Sequence, residues 1–355
     1  MATLIVPRDT PSRIATYVTA AIGSIFRILA KPFSTYEAKD RILAFQAPWF
    51  LIVLFVTWLG MLLSGFALIL WANSPLTISE AFRESGSSLL TLGFATTRTP
   101  GATVIDVIAA ASGLAVGGLL IGYLPTLYGA FNRRENAVTL LEARAGAPAW
   151  GPEILWRHQR IGIIDSLPKF YEDWEQWCAD VAESHSTYPI LLFFRSPDPL
   201  RSWLTGLLAV LDAAALQLAL CPTGAPSQAR LCLRMGFTAL RTLADTLYIP
   251  YKSDPHPDDP IVVSYDEFLR GVKHLEEIGF PLERTAEEAW ADFRGWRVNY
   301  ESNVLALAER IVATPSQWMG GRVEGMTIPT ERPVDRTPDE PEGTKYTKPG
   351  TYEMN

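Results

Sequence analysis

Thr91-Leu92-Gly93-Phe94-Ala95 lies between two long apolar runs, and the reading of this pentapeptide decides the fold of the chain. Just upstream, residues 79–90 read as a short helix, with Ser79 as its N-cap and Glu80 at its positive end. Downstream, Thr96-Thr97-Arg98-Thr99-Pro100-Gly101 carries the chain into the second apolar run. An apolar run, a short helix, a glycine-bearing loop and a second apolar run together describe a re-entrant segment between two spans. Such a segment survives at bilayer depth only where protein or a water-filled cavity shields its unpaired backbone.

Residues 48–72 contain no charge, enough length to cross a hydrocarbon core of about 30 Å with some tilt. Pro48 suits a first helical turn, and Trp49 and Trp71 sit where interfacial aromatic anchors belong. Residues 104–131 form the second run, with Thr103 and Asp106 making a start like a capping box. Gly113, Gly117, Gly118 and Gly122 punctuate it, and Pro125 stands near its end. Gly113-x-x-x-Gly117 and Gly118-x-x-x-Gly122 fit close helix packing. A glycine or proline also permits a bend, most directly at Pro125, which lacks a backbone donor.

The order and spacing of these pieces resemble the two-span pore-loop potassium channels, whose filter reads Thr-Val-Gly-Tyr-Gly. Thr91, Gly93 and the aromatic Phe94 match that pattern, Leu92 replaces valine conservatively, and Pro100 falls where the family places a proline. Ala95 stands where the family has glycine, and Thr96 replaces the acid that usually follows. The resemblance covers residues 42–135, about a quarter of the chain. It implies a C4 homotetramer in which carbonyls of Thr91, Leu92, Gly93 and Phe94 replace an ion's hydration shell. Thr91 would add a hydroxyl ring, and the negative end of the short helix would face the cavity. Left-handed dihedrals at Ala95 would cost on the order of 1 kcal/mol per chain. The resemblance therefore implies conduction of K+ with weakened selectivity, Na+ being the second permeant ion. The alternative is a non-conducting scaffold or sensor that keeps the pore-like fold.

Ahead of the first span, residues 13–31 carry Ile14, Tyr17, Val18, Ala21, Ile22, Ile25, Phe26 and Leu29 at close to helical period, flanked by Arg13 and Lys31. The pattern predicts an amphipathic helix along the cytoplasmic interface, with a span as the alternative. Lys31, Lys39 and Arg41 precede span one, and Arg133, Arg134 and Arg144 follow span two; the intervening loop has only Arg83 and Arg98. Positive-inside counting puts both termini in the cytoplasm of a cell whose inner or plasma membrane holds the protein. Arg83 and Glu84 read as lying toward the solvated end of the short helix, pairing there with neighbouring subunits or Asp106, with a coupling role to the outer mouth as the other reading.

Composition fits a small membrane part joined to a larger soluble one: 355 residues, 48% hydrophobic, mean hydropathy +0.11. A net charge of −7 argues against nucleic acid, which needs a basic surface. Cys178, Cys221 and Cys232 form no C-x-x-C pair and read as buried free thiols; His158, His185, His256 and His274 lack metal-ligand spacing. The sequence holds no nucleophile–base set, phosphate loop or Gly-x-Gly-x-x-Gly unit, so neither an enzyme nor a cofactor is expected.

Beyond residue 136 the pattern is helical: 153–164, 169–183, 199–220, 228–248, 265–278 and 286–313, with Trp156, Trp174, Trp177 and Trp296 as core. Residues 202–220 carry a single charge, Asp212. A third span would place that acid near the bilayer centre at about 3 kcal/mol, so a buried core helix is the preferred reading. The expected fold class is an all-α membrane protein of two spans with a re-entrant pore helix and loop, plus an all-α cytoplasmic domain. Its divisions are 1–47 (disordered up to 12), 48–135, 136–326, and a disordered tail at 327–355 rich in proline and charge.

Overall fold

The computed structural model describes residues 13–97 and 99–319, so the expectations for residues 1–12, for Arg98 and for the tail at 327–355 lie outside the described residues. It is all-helical, 73% helix, with no strand among the described residues. The helices are α1 (Arg13–Ala30), α2 (Tyr36–Leu43), α3 (Gln46–Asn73), α4 (Ile78–Leu89), α5 (Pro100–Ala145) and α6 (Gly151–Arg160). They continue with α7 (Leu167–Thr187), α8 (Trp203–Leu220), α9 (Ser227–Thr246), α10 (Tyr265–Glu277), α11 (Ala286–Arg297) and α12 (Glu301–Ile311). The described residues divide into two compact units that interleave in sequence: 13–30 with 42–131, and 31–41 with 132–319.

Three helical stretches are long and apolar enough to cross a membrane, namely Tyr36–Asn73, Pro100–Ala145 and Trp203–Leu220. They differ in what surrounds them. The most apolar windows of the first two are 6% buried, leaving Ile52, Val56, Leu68, Leu114 and Ile121 exposed; that of Trp203–Leu220 is 94% buried. A helix enclosed by protein offers lipid no face, and Asp212 at its middle is matched by Arg297 and by the Tyr300 hydroxyl at 2.7 Å.

In the first unit α4 packs along α3, and Leu70, Ala81 and Ala102 form a small core joining α3, α4 and α5. Two helix starts differ from the sequence reading. The cap of α4 is Thr77, not Ser79: its hydroxyl accepts the Glu80 amide while Glu80 accepts the Thr77 amide at 2.8 Å, a reciprocal box that Ser79 cannot make from inside the first turn. α5 begins at Pro100, and Asp106 caps nothing because its carboxylate accepts from Ser88 Oγ at 2.6 Å. α1 turns Ile22, Gly23 and Ala30 inward and packs on α3, leaving Tyr17, Ile25, Ile28 and Leu29 exposed.

In the second unit α8 is the axis on which α6, α9 and α11 pack. Gly151 and Gly236 bring α6 and α9 against it, since a Cβ at either would fall within 2.6 Å of Asp212 or Leu211 atoms. The helix expected across 286–313 breaks after Arg297, where the Asn299 amide donates to the Gly295 and Trp296 carbonyls and ends α11. Trp156, Trp174 and Trp177 are buried, Trp296 lies half-buried under Arg230, and the three cysteines are buried and unpaired.

Candidate functional site

α4 ends in Ser85-Gly86-Ser87-Ser88, poor helix formers whose hydroxyls seek nearby backbone and side-chain partners. Here each hydroxyl does so. Ser85 Oγ donates to the Leu63 carbonyl of α3 at 2.9 Å, Ser88 Oγ donates to Asp106 of α5, and Ser87 Oγ accepts the Ala95 amide at 3.0 Å. The α4 backbone is spent on the same loop. The Leu90 amide donates to the Gly86 carbonyl at 3.1 Å and the Thr91 amide to the Ser88 carbonyl at 3.0 Å. The Leu92 and Gly93 amides both donate to the Ser87 carbonyl, at 2.8 and 3.4 Å. Farther on, Glu84 accepts the Thr97 amide at 2.9 Å and the Thr97 hydroxyl at 2.5 Å. Residues 90–97 therefore run back along α4 from its C-terminal end toward its middle.

These bonds fix where the carbonyls point. A planar trans peptide sets each C=O opposite the N–H that follows it. Amides 92, 93, 95 and 97 face α4, so the carbonyls of Thr91, Leu92, Phe94 and Thr96 face away from it. Consecutive amides 92 and 93 share one acceptor, whereas in a β-strand successive amides alternate sides. The departure is made by left-handed dihedrals at Thr91 (φ 57°) and Gly93 (φ 72°). Glycine adopts these freely, but a β-branched threonine does not. Ala95 has no positive φ, which corrects the expectation that strain falls there: the strained residue is Thr91.

Thr91, Leu92, Gly93 and Phe94 are exposed, with Leu92 60% and Phe94 55% accessible. Three carbonyls of the last turn of α4, those of Gly86, Ser87 and Ser88, are spent on loop amides. Glu84 departs from its sequence reading. It is 3% exposed and ties the loop to α4, with Asp106 beside it, rather than lying at a solvated end. Arg83 is exposed, and its guanidinium lies 5.6 Å from the centre of the Phe94 ring.

The glycines of α5 separate into two kinds. A Cβ on Gly113 would fall 1.8 Å from the Leu89 carbonyl oxygen, so this glycine is the notch that seats the end of α4. Gly117, Gly118 and Gly122 have nothing within 4 Å of where a Cβ would stand. α5 is helical without interruption across Pro125, and the Thr126 hydroxyl donates to the Gly122 carbonyl at 3.3 Å in the same stretch.

Sequence reasoning singled out the loop and Gly113. It missed Ser87, Ser88 and Thr97, whose only trace was a run of small hydroxyl residues on either side of the pentapeptide. Among known proteins no family model, no characterised protein and no solved structure matches this chain.

Proposed function

We propose that the protein is a cation channel of the pore-loop kind, a homotetramer whose loops meet at a common axis. Its helices α3 and the first part of α5 span the cell membrane, α4 and residues 90–97 re-enter between them, and both termini are cytoplasmic. The helical unit around α8 gates or assembles the pore. The observation that carries the reading is the set of loop amides bonded to α4, which leaves carbonyls 91, 92 and 94 on one exposed side. Four such sides would surround a monovalent ion, K+ first and Na+ second, with oxygens at fixed heights. No catalysis and no bound cofactor belong to this proposal.

One observation favours the scaffold or sensor reading instead. The left-handed Thr91 is unlike a loop built for identical, unstrained oxygen rings. Purified full-length protein in liposomes separates the two. A channel gives rubidium uptake driven by a K+ gradient, and native mass spectrometry gives four subunits. A tetramer silent under every gradient would replace the channel with the scaffold, and a monomer or dimer would end both.

A further inference from the structure

Arg83 is the one feature of the loop region that a cation pathway does not call for. It sits mid-way along α4, exposed, with its guanidinium over the Phe94 ring, 5.6 Å from the ring centre. Among the described residues it meets no carboxylate. The acids flanking it in sequence are engaged elsewhere, Glu80 in the Thr77 cap and Glu84 on Thr97. The charge is thus neither neutralised nor turned away; the ring whose carbonyl faces away from α4 holds it at the loop. A guanidinium binds an aromatic face without losing its charge.

We propose that Arg83 is a specificity-determining residue, placing four positive charges behind the Phe94 positions so that cations bind weakly and divalent cations are excluded. The proposal rests on the channel reading above. Thr96 stands next to this end of the loop and brings no negative charge to offset the guanidinium. The signature follows from valence, because a fixed potential acts twice as strongly on a double charge. A potential that changes monovalent affinity about threefold changes divalent affinity by the square, about tenfold.

The test is rubidium uptake into proteoliposomes holding the full chain, titrated with barium, for wild type, Arg83→Lys and Arg83→Gln. Barium is expected to block Arg83→Gln at about one-tenth the concentration needed for wild type, with rubidium affinity up about threefold. Arg83→Lys, which keeps the charge and loses the planar guanidinium, should stay within about twofold of wild type. Unchanged block in Arg83→Gln overturns the inference and leaves the channel standing. Equal shifts in both variants overturn it in favour of ring packing, and loss of uptake in Arg83→Gln overturns it by showing the charge is needed for conduction. No uptake by the wild type removes the channel reading and this inference together.

Discussion

Ser87 carries more of the loop than any other side of α4. Its carbonyl accepts two amides and its hydroxyl a third, so the backbone and side-chain contributions can be separated by substitution. Ser87→Ala keeps the carbonyl and removes the hydroxyl. We expect about 1 kcal/mol of lost stability per chain and faster hydrogen exchange at the Ala95 amide, with Leu92 and Gly93 unchanged. Equal acceleration at all three would show that the hydroxyl organises the whole loop. The contrast with Ala95 is instructive. Sequence comparison placed the conformational cost at Ala95 because glycine stands there in the resembling channels. The left-handed residue that is not glycine is Thr91, and Ala95 has no positive φ and a bound amide. A departure from a motif marks where to look; the dihedrals decide which residue bears the strain.

At the scale of the helix, α5 joins a tight contact and an open face within two turns. Gly113→Ala must drive the Leu89 carbonyl away, since a Cβ would overlap it, whereas Gly117→Ala meets nothing in its own chain and gains helix propensity. Melting of the detergent-solubilised protein should show Gly113→Ala destabilised by several degrees and Gly117→Ala unchanged or higher. If Gly117→Ala also lowers the subunit number seen by native mass spectrometry, its open face is one that another copy covers. Helix positions were legible from periodicity and charge gaps: α1, α3, α9 and α10 fall close to where the apolar spacing puts them. Helix ends were not. Thr77, Thr99 and Asn299 set boundaries through hydrogen bonds that depend on neighbours already in place, and a capping-type residue two positions away looks equally suitable in one dimension.

Over the whole molecule, the polar contacts hardest to foresee join residues far apart in sequence. Arg195 donates to the Tyr36 hydroxyl and to Asp40, and to the Ile311 and Val312 carbonyls at 2.7 and 2.9 Å. Arg134, fully buried, donates to the Leu191 and Phe194 carbonyls at 2.7 Å and reaches His185 at 3.1 Å. These contacts govern how stability varies with pH. Burial, aided by the Arg134 charge, holds His185 well below the ordinary imidazole value; burial also lowers His158, with Arg144 adding to it. Below about pH 6.5 the unfolded chain therefore takes up protons that the folded one refuses, and stability falls as pH drops, by up to about 1.4 kcal/mol per pH unit for each histidine. Asp212 acts in the opposite sense. Burial raises it to about 6 against the pull of Arg297 and Tyr300, so its contribution falls as pH rises from the ordinary carboxylate range through 6. Comparing His185→Gln with wild type cancels the Asp212 part, and glutamine can still accept from Arg134. The melting-temperature difference between the two should shift in favour of the variant as pH is lowered from 7 to 5; a constant difference would show that His185 is not excluded from protonation.

The residues that complete the Arg195 contact are made at very different times. Asp40 precedes Arg195 by 155 positions, so at ordinary translation speeds about 8–30 s separate their emergence from the ribosome. Throughout that interval Asp40 has no arginine partner, while the apolar run beginning a few residues later, long enough to cross a membrane, is completed. A fragment begun after that run would be born without Tyr36 and Asp40, leaving the arginine with only half its acceptors, and should be recovered in poorer yield than the uncut polypeptide.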